Sequence, residues 1–117
     1  MDDDPAICQA YDDILRGRGY HVVTATSRAD ALAKIDQLDT VVDMLIMDMS
    51  LPDADGPELV REITDRIGLR PALYVSGWTD EFWDLSAAPG RWRVIQKPVP
   101  IPRLIEAVEW MAAIRAD

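Results

Sequence analysis

The sequence predicts an α/β fold, a doubly wound parallel sheet with helices on both faces. Short apolar runs alternate with stretches of helical periodicity. The connections between them are short, as right-handed crossovers between parallel strands require. The central run, Met44-Leu45-Ile46-Met47, lacks polar alternation, as expected of a strand covered on both faces.

The first helix is expected over Pro5–Arg16. Ile7, Ala10, Tyr11, Ile14 and Leu15 recur at helical spacing, Asp4 suits the N-cap and Pro5 the first turn. Gly17 and Gly19 end it. Tyr20–Thr24 reads as a strand. Ser27 caps a second helix, roughly Arg28 to Leu38, with Ala31, Leu32, Ile35 and Leu38 inward. Asp43–Met47 is the next strand. Pro57 opens a third helix to about Ile67, burying Leu59, Val60, Ile63 and Ile67. Ala72–Val75 is another apolar strand. A short helix begins at Thr79 or Asp80 and fades near Ala88-Pro89-Gly90. Trp92–Gln96 is a strand. Pro102 opens the last helix, which buries Leu104, Ile105, Val108, Met111 and Ala112. That makes four strands and five helices in one domain spanning residues 1–117.

Composition narrows the function. The net charge is -9, which argues against nonspecific nucleic-acid binding and against docking on anionic lipid. Trp78, Trp83, Trp92 and Trp110 do not interleave with basic residues at a repeating spacing, so no base-stacking surface is expected. No run of about 18 apolar residues exists, and Met1-Asp2-Asp3-Asp4-Pro5 does not read as a signal peptide. The expected compartment is the cytoplasm. Cys8 is the one cysteine and reads as a buried helix thiol. His21 reads as structural or exposed, and Met44, Met47 and Met49 as core.

Four features fall at carboxyl ends of strands or their equivalent, where open α/β folds place their chemistry. They are Asp2-Asp3, Asp48, Ser76-Gly77 and Lys97-Pro98. Clustered carboxylates need a cation, and oxygen-only ligands favour Mg²⁺. A carboxylate beside a lysine and Mg²⁺ stays ionised and can attack phosphorus. A hydroxyl and an ammonium can hold the transferred phosphoryl oxygens.

The pieces Asp2-Asp3-Asp4-Pro5, Met47-Asp48-Met49-Ser50-Leu51-Pro52-Asp53-Ala54-Asp55-Gly56, Tyr74-Val75-Ser76-Gly77 and Gln96-Lys97-Pro98 occur in order and at suitable spacing. Together they resemble the receiver domains of two-component response regulators, with a softer likeness to receivers of hybrid histidine kinases. The resemblance implies the flavodoxin-like (βα)5 architecture. It implies Asp48 as phosphoacceptor, Asp2 and Asp3 as the acidic Mg²⁺ pocket with Asp3 the direct ligand, and the Ser50 backbone carbonyl in the metal shell. Ser76 would hydrogen-bond the phosphoryl group, Lys97 would pair with it, and a cis peptide would precede Pro98. The implied partners are a sensor histidine kinase or phosphotransfer protein and a downstream protein target.

Three departures from that pattern stand out. The central first strand that precedes the acidic pair in receivers is missing from this sequence. An empty central slot would strand backbone groups at about 1–3 kcal/mol each, so the expectation is a strand from upstream, a strand from another chain, or a sheet that closes differently, by rearrangement or by exchange in a homodimer. Val94 stands where receivers carry a switching ring, and Trp92 lies on the same strand face. Trp78 flanks the acceptor and would shield it from water. Two other functions fit parts of the sequence: a phosphorylation-independent interaction or dimerisation module, and a small aspartyl phosphatase. The phosphatase is disfavoured because Ser50 holds the place of its general acid.

Overall fold

The computed structural model describes residues 1–51, 53–77, 85 and 88–116. Helix α1, Pro5–Arg16, begins where the Asp4 carboxylate accepts the Ala6 N–H at 2.9 Å. Cys8 and Leu15 are its buried residues, while Ala10 is exposed. Helix α2, Arg28–Gln37, is capped by Ser27, whose hydroxyl accepts the Asp30 N–H. Strand β1, Leu45–Asp48, ends on the carboxylate itself. A small antiparallel ribbon follows, β2 Ser50–Leu51 and β3 Ala54–Asp55. Helix α3, Gly56–Ile67, is capped by Asp55, which accepts the Glu58 N–H at 2.7 Å. It stops at Gly68, whose φ of 90° suits a residue without a side chain. Strands β4, Ala72–Ser76, and β5, Trp92–Gln96, precede helix α4, Ile101–Ala116.

The sheet runs in the order β1-β4-β5, all parallel, with Leu45 opposite Ala72 and Ala72 opposite Trp92. Residues 72–76 are all buried because β4 is central and covered on both faces. One core lies under α2 and α3, with Met47, Met49, Leu59, Val60, Ile63 and Tyr74. The other lies under α1 and α4, with Leu15, Leu73, Ile95, Leu104, Val108 and Met111. Each fully buried side chain of this size contributes about 1.5–3 kcal/mol.

The expected strand over Tyr20–Thr24 is a correction: no ladder forms there among the described residues. The reason is the missing neighbour. The nearest strand across the gap is β1, and among the described residues only Met1 and Asp2 bridge the space. The Met1 nitrogen donates to the Ile46 carbonyl at 2.6 Å, and the Asp48 N–H donates to the Met1 carbonyl at 2.9 Å. On the other side the Asp2 N–H donates to the Ala25 carbonyl at 3.2 Å. Met1 and Asp2 therefore occupy the carboxyl end of the central slot. Among the described residues the main sheet has three strands rather than four, and there are four helices rather than five. The short helix expected from Thr79 or Asp80 lies outside the described residues. The exposure of His21, the burial of Cys8, Met47 and Met49, and the limits of α1 and β5 agree with the sequence reading.

Candidate functional site

The site assembles at the carboxyl edge of the sheet. Asp48 closes β1 and is only 3% exposed. Asp2 is 4% exposed, and its carboxylate accepts the Asp4 N–H at 3.0 Å. That bond fixes the turn leading into α1. Asp3 beside it is exposed. Carboxylate oxygens of Asp2, Asp3 and Asp48 lie within 4.8 Å of one another. Residues 46 positions apart thus converge because Met1 is bonded to β1 and the Asp2 N–H to the Ala25 carbonyl.

Lys97 follows β5 and reaches back over the cluster. Its Nζ lies 3.3 Å from an Asp48 oxygen and 3.4 Å from an Asp2 oxygen. Burial works against the Lys97 charge, but Asp48 and then Asp2 outweigh it, and the ammonium is held above the ordinary lysine value. The Lys97 N–H donates to the Ser76 carbonyl at 2.7 Å, and the Lys97-Pro98 peptide is cis. The ends of β4 and β5 are thereby locked together under the lysine.

Ser76 ends β4 and is buried, with its hydroxyl donating to the Gly77 carbonyl at 2.9 Å. The backbone of Ser50 lies in β2, directly after Asp48 and Met49. Trp78, read as a shield, lies outside the described residues. Trp92 is 37% exposed and meets Tyr74 edge to face with centroids 6.3 Å apart. Val94 is 41% exposed on the same strand.

Two positions of consequence were not singled out in the sequence. A Cβ on Gly56 would come within 2.9 Å of the Asp48 carbonyl oxygen, so this site needs glycine for close approach. The signal was present as Asp55-Gly56 ahead of a helix. Asp53, at the tip of the ribbon, accepts the Arg28 N–H at 2.8 Å and the Ala29 N–H at 3.4 Å, tying the loop after Asp48 to α2. Arg28 in turn forks onto Glu62 of α3. No local pattern marks a bond across 25 residues.

The donor set suits a small hard cation. Three carboxylates offer only oxygen, which favours Mg²⁺ over softer metals. A buried pair of carboxylates with one lysine also carries surplus negative charge that such a cation would offset.

A family model described as the response regulator receiver domain matches residues 1–109. The chain belongs to that family. It is 30% identical over 112 residues to the sensor kinase CckA of Brucella abortus, a match that covers 95% of this chain and 12% of the kinase. The chain therefore spans a small part of that relative. Among solved structures it resembles a receiver domain protein of Clostridium thermocellum at TM-score 0.85 and 25% identity, covering 98% of this chain and 92% of the other. It also resembles the receiver domain of NtrX from Brucella abortus at TM-score 0.81 and 28% identity, covering 96% and 94%. The receiver resemblance and the flavodoxin-like fold drawn from the sequence are thus borne out. No described helix is long and apolar enough to cross a membrane.

Proposed function

We propose that this receiver works as a phosphoacceptor switch in two-component signalling, with Asp48 as the residue modified. The observation that carries this reading is the buried Asp48 carboxylate, 3.3 Å from Lys97 and within 4.8 Å of two further carboxylates. An Asp48 oxygen attacks the phosphorus of a phosphohistidine on a sensor kinase or phosphotransfer protein. The new O–P bond forms as the N–P bond breaks, and the imidazole leaves. Asp2, Asp3 and the Ser50 carbonyl would hold Mg²⁺, which supplies charge neutralisation for the phosphoryl oxygens. Lys97 remains paired with the modified carboxylate through the phosphoryl oxygens. The Ser76 hydroxyl turns from the Gly77 carbonyl to donate to the phosphoryl group. The added charge at Asp48 then redistributes contacts near Trp92 and α4, where a downstream protein docks in the cytoplasm.

The test uses Mg²⁺ and a small phosphodonor. The expected product is an acid-stable, base-labile acyl phosphate that Asp48→Asn abolishes. Absence of incorporation in the parent protein would favour the phosphorylation-independent module instead.

A further inference from the structure

The chain that leaves Asp48 carries the Ser50 carbonyl on a ribbon with two residues in each strand, Ser50–Leu51 against Ala54–Asp55. A ribbon that small is marginal by itself, so its position is set by what holds its ends. The base is held by β4 and α3. The Met49 N–H donates to the Val75 carbonyl at 3.0 Å, the Gly56 N–H to the Met49 carbonyl at 3.2 Å, and the Asp55 carboxylate accepts the Glu58 N–H at 2.7 Å. Further along, Leu51 is buried in the core under α2 and α3. The tip is held by Asp53, whose carboxylate accepts the Arg28 N–H at 2.8 Å and the Ala29 N–H at 3.4 Å.

Those two amides belong to the first turn of α2, where a helix leaves its N–H groups without intrahelical partners. The start of α2 is fixed locally. The Ser27 hydroxyl accepts the Asp30 N–H at 3.1 Å, the Ser27 carbonyl accepts the Ala31 N–H at 2.9 Å, and the Asp30 carboxylate accepts the Thr26 N–H at 3.1 Å. Asp53 therefore uses α2 as an anchor. The anchor is braced in turn, because the Arg28 guanidinium forks onto Glu62 of α3. Asp53 is exposed, so its bonds compete with water and their net worth to stability is modest. What they fix is the place of the ribbon.

We propose that Asp53 is a positioning residue for the metal ligand at Ser50. By tying the ribbon tip to the α2 amides, it holds the Ser50 carbonyl in place for the Mg²⁺ that Asp2, Asp3 and Asp48 would share. This role rests on the reading of Ser50 as a ligand. Partners that orient a metal ligand from outside the coordination sphere are worth about 10–100-fold in affinity. A carbonyl left free to move must be ordered when the ion binds, and that ordering subtracts from affinity. The Asp53 charge would also attract a cation, so the test separates the bond from the charge.

Mg²⁺ is titrated into the folded parent and five variants at physiological salt, and amide NMR shifts give the dissociation constant. The Leu51 amide is the local reporter, since its nitrogen is bonded to the Ser50 carbonyl carbon. Asp53→Ala removes both bond and charge. Asp53→Asn removes the charge and keeps an oxygen for the Arg28 N–H. Arg28→Pro keeps the Asp53 charge and deletes that N–H. Proline suits the first helical position, and Ser27 before it is already extended, with φ -154° and ψ 167°. Arg28→Ala keeps the N–H and drops the bridge to Glu62. The fifth variant combines Asp53→Ala with Arg28→Pro.

Asp53→Ala and Arg28→Pro should each lose about tenfold in Mg²⁺ affinity, with no further loss when combined. Asp53→Asn and Arg28→Ala should stay within about twofold of the parent, because the charges they remove are exposed and screened. If Arg28→Pro does not fold, the Asp53→Ala and Asp53→Asn pair decides. Equal affinity in the parent and Asp53→Ala, an equal loss in Asp53→Asn, or no Mg²⁺-induced shift at Leu51 in the parent overturns the proposal. Acyl phosphate still forming at Asp48 would then leave the phosphoacceptor reading intact. A parent that takes neither Mg²⁺ nor a phosphoryl group overturns both.

Discussion

Gly56 lies against the backbone of Asp48: a Cβ at residue 56 would meet the Asp48 carbonyl oxygen at 2.9 Å and the Met47 Cγ at 3.0 Å. The Gly56 N–H also donates to the Met49 carbonyl at 3.2 Å. The first turn of α3 thus presses on the peptide that carries the proposed acceptor. Gly56→Ala should displace that peptide and destabilise the protein by about 1–3 kcal/mol, the usual range for overpacking. Urea melts measure the loss. Phosphoryl incorporation at Asp48 should fall as well.

Lys97 is the cation between two buried carboxylates. Lys97→Ala leaves Asp2 and Asp48 facing each other without it. Breaking a fully buried pair costs about 3–5 kcal/mol. The Lys97 side chain is 32% exposed, so a loss of about 2 kcal/mol is expected after solvent screening. Millimolar Mg²⁺ should restore part of it. Denaturant melts with and without the ion read both effects.

Tyr74 is wholly buried, and its hydroxyl has no hydrogen-bond partner among the described residues. Burial pushes its phenol up to about 12. A phenol whose pKa rises on folding holds its proton more tightly in the native state. Native stability is therefore untouched by this titration below pH 10 and falls as pH climbs from 10 through about 12. Tyr74→Phe should remove a late step from the ultraviolet titration. It should also stabilise the protein by about 1 kcal/mol, because no buried hydroxyl then goes unpaired.

At the acid end the ribbon clamp contributes. The Asp53 carboxyl is held below its ordinary value, chiefly by the Arg28 N–H, and Glu62 is held low, chiefly by the Arg28 guanidinium. Carboxylates depressed on folding stabilise the protein above their unfolded values, and that help is lost as pH falls through the folded ones. Thermal melts from neutral pH to pH 3 should fall less steeply for Glu62→Gln than for the parent.

Helices announced themselves in the sequence through their caps. Asp4 and Ser27 were legible because an N-cap is a local bond between a side chain and an N–H two or three residues on. Parallel strands with two covered faces were legible as unbroken apolar runs. Tyr20–Thr24 was misread because a strand needs a partner, and periodicity says nothing about whether one is present. The convergence of Asp2, Asp48 and Lys97 followed from their placing at strand ends. The Gly56 contact and the Asp53 clamp did not, since each joins groups that only the finished packing brings together.

The central claim is that Asp48 is the nucleophile. Treat the protein with Mg²⁺ and a small phosphodonor, reduce any acyl phosphate with borohydride, and map the peptides by mass spectrometry. The account predicts homoserine at residue 48 and nowhere else. Homoserine at Asp2 or Asp3 with Asp48 untouched would contradict it.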